Sequence, residues 1–72
     1  MDETEAFELI HDALHNKAFK HPDFHSHHEA YGVLLEEVEH VRTHGTPDND
    51  GCKEELADIA AVCFKAMMQL CI

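Results

Sequence analysis

Tryptophan is absent from the 72 residues, proline occurs twice, glycine three times, and lysine and arginine together only five times. Each shortage excludes something. Fifteen acids against five bases give a formal net charge of −10, which argues against nucleic acid or an anionic membrane surface as partner, since both reward Lys and Arg. The few glycines leave no glycine-rich phosphate loop. The Met1-Asp2-Glu3-Thr4 start has no basic region ahead of an apolar one, so no signal peptide is expected. The longest apolar-rich stretch, Leu56 to Ile72, is interrupted by Asp58, Lys65 and Gln69, so no membrane span is expected. Cys52, Cys63 and Cys71 are odd in number and lack CxxC spacing, and the last two fall on an apolar helix where a thiol packs as a small hydrophobe. Disulfides are therefore not expected, and the compartment read from the sequence is a reduced cytoplasm.

A chain of this length forms one domain, residues 1–72, and buries only about 60% of its unfolded surface. Such a domain is marginal alone. With disulfides set aside, oligomerisation is the expected support, as a homodimer or homotetramer.

The breaks divide the chain into three helices. Pro22 ends a first helical stretch, and the Gly45–Gly51 segment with Pro47 ends a second. Helix 1, about 4–18, carries Phe7, Ile10 and Leu14. Helix 2, about 27–44, carries Tyr31, Leu34, Val38 and Val41, and helix 3, about 52–70, carries Leu56, Ile59, Cys63, Met67 and Leu70. Ser26-His27-His28-Glu29 reads as a capping box for helix 2. Asp2 and Glu5 are candidates to cap helix 1, and Asp48, Asn49 or Asp50 to cap helix 3. No alternating pattern is present, so the expected fold is all-α, a helical bundle. Ala57, Ala60, Ala61, Val62, Phe64, Ala66 and Met68 make most of helix 3 apolar, which predicts burial on several sides and a dimer interface that includes it.

Two acidic clusters interrupt the apolar stripes: Glu36-Glu37-Val38-Glu39-His40 and Glu54-Glu55-Leu56-Ala57-Asp58. At about 100° per residue Glu37 falls beside Ala30, Val33, Leu34 and Val41, and Glu55 beside Ile59, Val62 and Ala66. These two acids are the least able to reach solvent. Asp58 stands at i+3 from Glu55 on a neighbouring point of the same face. If a short loop makes helices 2 and 3 antiparallel, the clusters face each other. Carboxylates converging from two helices suit Mg²⁺ or Mn²⁺ and phosphate chemistry. The plain alternative is a solvated helix face, with Glu54 and Glu55 favoured by the dipole at the start of helix 3.

The run Glu36-Glu37-Val38-Glu39-His40-Val41, followed after the loop by Glu55-Leu56-Ala57-Asp58-Ile59, resembles the MazG-type all-α nucleotide pyrophosphohydrolases, whose pattern is EExxE, a linker and ExxD. Ser26 to Leu34 is similar to small phage and prophage MazG-like proteins, and the resemblance spans about Ser26 to Leu70. It implies hydrolysis of nucleoside triphosphates, NTP or dNTP, to the monophosphate and pyrophosphate, with Mg²⁺ as cofactor. Position by position, Glu37, Glu55 and Asp58 match metal ligands and Glu36 the preceding acid. His40 stands where the family has glutamate, and imidazole suits Mn²⁺, Co²⁺, Ni²⁺ or Zn²⁺ better than Mg²⁺. A second register takes Glu36 and Glu39 as the ExxE pair, but turns them away from the side bearing Glu37.

In this scheme Glu37, His40, Glu55 and Asp58 are the metal candidates. Glu36 and Glu39 are the candidate proton acceptors, and Lys53 is the candidate phosphate contact, with Lys17, Lys20 and Arg42 remaining. The runner-up is a non-catalytic helical protein that binds metal or nucleotide or serves in assembly. A third reading starts from the eight histidines. His11/His15 and His40/His44 are i,i+4 pairs on expected helices and could chelate a transition metal. The plain alternative is that exposed histidines are tolerated helix residues, without Cys or carboxylate to complete a site. His28-Glu29 lacks the second histidine of HExxH, and Asp48-Asn49-Asp50-Gly51 fails as a calcium loop because the last ligand position falls on Ala57.

Overall fold

The computed structural model describes residues 1–44 and 50–71. Helix α1 spans Glu3–Asn16, a 3₁₀ turn spans Ala18–Lys20, α2 spans His27–His44 and α3 spans Asp50–Leu70. No strand occurs among the described residues, so the fold is all-α.

Local chemistry explains the helix starts. Asp2 takes an extended conformation and its Oδ1 accepts the Glu5 amide at 2.9 Å, satisfying one of the free donors at the head of α1. Ser26 Oγ accepts the Glu29 amide at 3.2 Å, while Glu29 Oε1 reaches back to the His25 amide at 2.9 Å. The capping box is therefore present, with its return bond one residue earlier than the usual geometry. Replacing Ser26 with alanine is expected to lower the unfolding free energy by about 1 kcal/mol, read from the urea midpoint. The cap expected for the third helix falls at residues 48–50, and the side chains concerned lie outside those described.

Helix 1 ends two residues earlier than its sequence suggests and begins one earlier. Lys17 leaves helical geometry at φ −128°, ψ −62°, and the next three residues tighten into the 3₁₀ turn. At the other junction, Asp50 and Gly51 are already helical, so α3 begins earlier than residue 52.

Helix α3 is the spine. Both α1 and α2 pack on it, and neither closely approaches the other. On one side Ala13, Leu14 and Ala18 meet Ala57 and Ala61, with Leu9 and Ile10 against them. Alanine on both sides allows the helix backbones to come close. On the other side Phe24 and Ala30 meet Val62, joined by Val33, Leu34, Ala66 and Leu70. The first turns of α2 thus pack on the last turns of α3, and the two helices run antiparallel.

The linker between α1 and α2 is held from below by two polar residues of α3. Lys65, only 1% exposed, donates to the carbonyls of Ala18 at 2.9 Å, His21 at 3.2 Å and Pro22 at 2.8 Å. Its ammonium also sits 4.4 Å from the centre of the Phe24 ring. One turn further on, Gln69 Oε1 accepts the Phe24 amide at 2.8 Å and its Nε2 donates to Asp23 at 3.0 Å. These residues interrupt the apolar run in the sequence because they serve as anchors. Among the described residues, no helix is long and apolar enough to cross a membrane.

Candidate functional site

Helix α2 turns Val33, Leu34, Glu37 and Val41 toward the interior, and Glu37 is the one acid among them. Helix α3 brings Glu55 and Asp58 to half-buried positions on its inner side. Every other acid whose side chain is described is exposed. Three helix-borne carboxylates are thus withdrawn from water, and they are the three that the helical phase and the ExxD motif select.

Their immediate partners differ. The Glu37 side chain keeps 23% of its exposure and stands 3.8 Å from His40 Nδ1, one turn along α2. Lys17 Nζ donates to Asp58 Oδ2 at 3.2 Å, linking the end of α1 to α3. Glu55 Oε2 is buried and finds no hydrogen-bond partner among the described residues. A buried carboxylate oxygen with no donor among the described residues is a feature suited to a cation.

Glu37 and Asp58 border one cavity of about 280 Å³, beneath the 3₁₀ turn. Lys17, Lys20 and His21 supply its basic rim, and Val33, Ala61 and Val62 its apolar floor. Asp58 and Lys17 also border a neighbouring hollow of about 240 Å³ with Asp12, Asn16 and Glu54. The Lys17–Asp58 pair is the wall between the two. The cavity has room for a phosphate chain and its counter-ion, below the roughly 300–1,000 Å³ of whole small-molecule sites.

The remaining candidates lie elsewhere. Glu36 and Glu39 are exposed on the outer side of α2. Glu39 accepts from Arg42 Nε at 3.0 and 3.1 Å and pairs with the guanidinium Nη2 as well. That charge holds the Glu39 carboxyl below the usual carboxylate range. Lys53 is exposed and borders a hollow between the first turns of α1 and α3, with Met1, Leu9, Ile10 and Leu56, away from Glu37. Among the described residues, no three His, Cys, Asp or Glu side chains gather into a ready-made metal site. Glu37, Glu55 and Asp58 share a degree of burial, and Glu37 and Asp58 border a common cavity.

No family model matches the chain, and no curated protein or solved structure does. The site's chemistry therefore rests on its own residues.

The basic rim is hidden in the sequence. Lys17 and Lys20 look like ordinary solubilising lysines, because only the turn at Ala18–Lys20 swings them over the cavity. Lys65 carried a usable signal: a single cation inside the most apolar helix has to find oxygen donors or remain costly.

Proposed function

We propose that the chain hydrolyses nucleoside triphosphates, NTP or dNTP, to the monophosphate and pyrophosphate, using a divalent ion held by Glu37, Glu55 and Asp58. The observation that carries this reading is the partial burial of those three acids, with Glu55 Oε2 unpartnered among the described residues. The donor set is all oxygen, which fits Mg²⁺, and His40 beside Glu37 widens the fit to Mn²⁺ or another transition metal. Such an ion, when bound, offsets phosphate charge and lowers the pKa of a coordinated water.

The protein's own residues supply the rest. Lys17, Lys20 and His21 hold the phosphates from the rim, a role better suited to them than to Lys53 by position. Lys17 now neutralises Asp58, so loading the site requires the ammonium to turn from the carboxylate to a phosphate oxygen. The two candidate proton acceptors, Glu36 and Glu39, both stand on the exposed outer side of α2 away from the cavity, and pairing with Arg42 further weakens Glu39 in that role.

The reading includes self-association. Tyr31, Leu35 and Val38 on α2 are 61%, 48% and 44% exposed, and Met67 on α3 is 65% exposed. Ala30, Tyr31, Leu34, Cys63 and Ala66 form an apolar groove between the two helices. A second copy of the chain, as homodimer or homotetramer, is the occupant that brings matching apolar surface. That same surface favours the alternative of a non-catalytic assembly protein, which would tolerate alanine at all three acids.

Pyrophosphate release from a panel of NTPs and dNTPs, with Mg²⁺ and with Mn²⁺, separates the two. Release that disappears in Glu37→Ala and Asp58→Ala, and persists in the exposed control Glu8→Ala, supports the enzyme. No release with any nucleotide and either metal overturns it.

A further inference from the structure

Away from the cavity, the exposed side of α1 carries two histidines one turn apart. We infer that His11 and His15 form a two-imidazole site for a borderline transition-metal dication such as Zn²⁺, Ni²⁺ or Cu²⁺, separate from the carboxylate cavity and independent of the proposed hydrolysis. The spacing is i,i+4 on a regular helix, which projects both rings from the same face. Their centroids are 4.4 Å apart with the planes inclined at 48°, so the rings already stand side by side.

Asp12 Oδ1 lies 3.9 Å from His11 Nδ1, beyond hydrogen-bond distance, and places negative charge beside the pair. His15 is met edge-on by Phe19 at 5.3 Å, 75° from coplanar. Phe19 belongs to the 3₁₀ turn held in place by Lys65, so one of the rings is supported by the fixed part of the fold. Glu8 and Asp12, both exposed nearby on α1, add negative potential that favours a dication. Two imidazoles leave coordination positions open to water. His21 and His25 share the same spacing but lie in the linker outside any α-helix.

The test is a Zn²⁺ titration of the full chain in excess Mg²⁺, followed by the imidazole resonances and by calorimetry, with Ni²⁺ broadening as a second readout. Mg²⁺ occupies oxygen sites and competes poorly for imidazole. The first equivalent is expected to perturb His11 and His15 before the other histidines. His11→Gln and His15→Gln should each remove that equivalent, and Asp12→Asn should weaken it only modestly, through loss of nearby negative charge. All three positions are exposed, so circular dichroism should show the helices intact. First perturbation at another histidine, or an unchanged first equivalent in either glutamine variant, overturns the assignment. Loss of the site in Glu55→Ala with His11 and His15 present would overturn it as well.

Discussion

Replacing Lys65 with methionine is expected to lower the unfolding free energy by about 3 kcal/mol, because three linker carbonyls lose a charged donor. Methionine keeps the stem length and the apolar contact with Phe24, so the change isolates the ammonium. Burying that ammonium costs several kcal/mol, which three charge-assisted bonds and the aromatic face offset. Removing it takes that donor from the carbonyls of His21 and Pro22, while Ala18 keeps the His21 amide at 3.3 Å. A domain of 72 residues holds roughly 4–11 kcal/mol in all, so the loss is a large share. The melting temperature should fall by roughly 15 °C. A melting temperature within a few degrees of the parent would mean that the linker rehydrates easily and that Lys65 anchors nothing.

Glu55→Met should act in two opposite directions. In metal-free protein it removes a buried carboxylate oxygen that has no partner among the described residues, and stability should rise by about 1 kcal/mol. A competing effect is the favourable dipole at the start of α3, but it is concentrated in the first turn and is worth about 0.3–1 kcal/mol. Glu55 lies in the second turn of a helix that begins at Asp50, so relief of the orphaned oxygen wins. On the proposed hydrolysis, pyrophosphate release should meanwhile fall about a thousandfold, the loss of several kcal/mol of charge stabilisation in the transition state. Urea denaturation in EDTA and a release assay on the same preparation read both effects. Higher stability with undiminished release would show that the acid takes no part in hydrolysis. Lower stability would show that its oxygen has a partner worth keeping.

Much of the arrangement was legible from helical phase. Glu37 among Ala30, Val33 and Val41, and Glu55 among Ile59 and Val62, could be placed on inner faces because every residue of a helix has a fixed bearing. The capping chemistry of Asp2 and Ser26 was equally local, and so was readable. What escaped were contacts that bridge distant parts of the chain. Lys17 meets Asp58 across 41 positions, and Lys65 meets Ala18 across 47, through a turn that no periodicity announces. The expected helix to Ala18 hid that turn. Lys53 was favoured for its place beside the acidic cluster in sequence, whereas on the helix it faces the hollow under α1. Proximity along a helix and proximity around it differ, and the second decides which residues share a cavity.

That α1 and α2 lean on the spine without leaning on each other bears on how the molecule opens. Neither outer helix guards the other's amides, so each can peel away as its own cooperative unit while the opposite pair stays closed. Hydrogen exchange should therefore resolve three tiers: α3 slowest, and α1 and α2 each faster and at rates of their own. The linker staple at Lys65 is the coupling between them. Where it holds, release of α1 disturbs the rim of the cavity and the entry to α2; where it is cut, the two arms exchange without reference to one another.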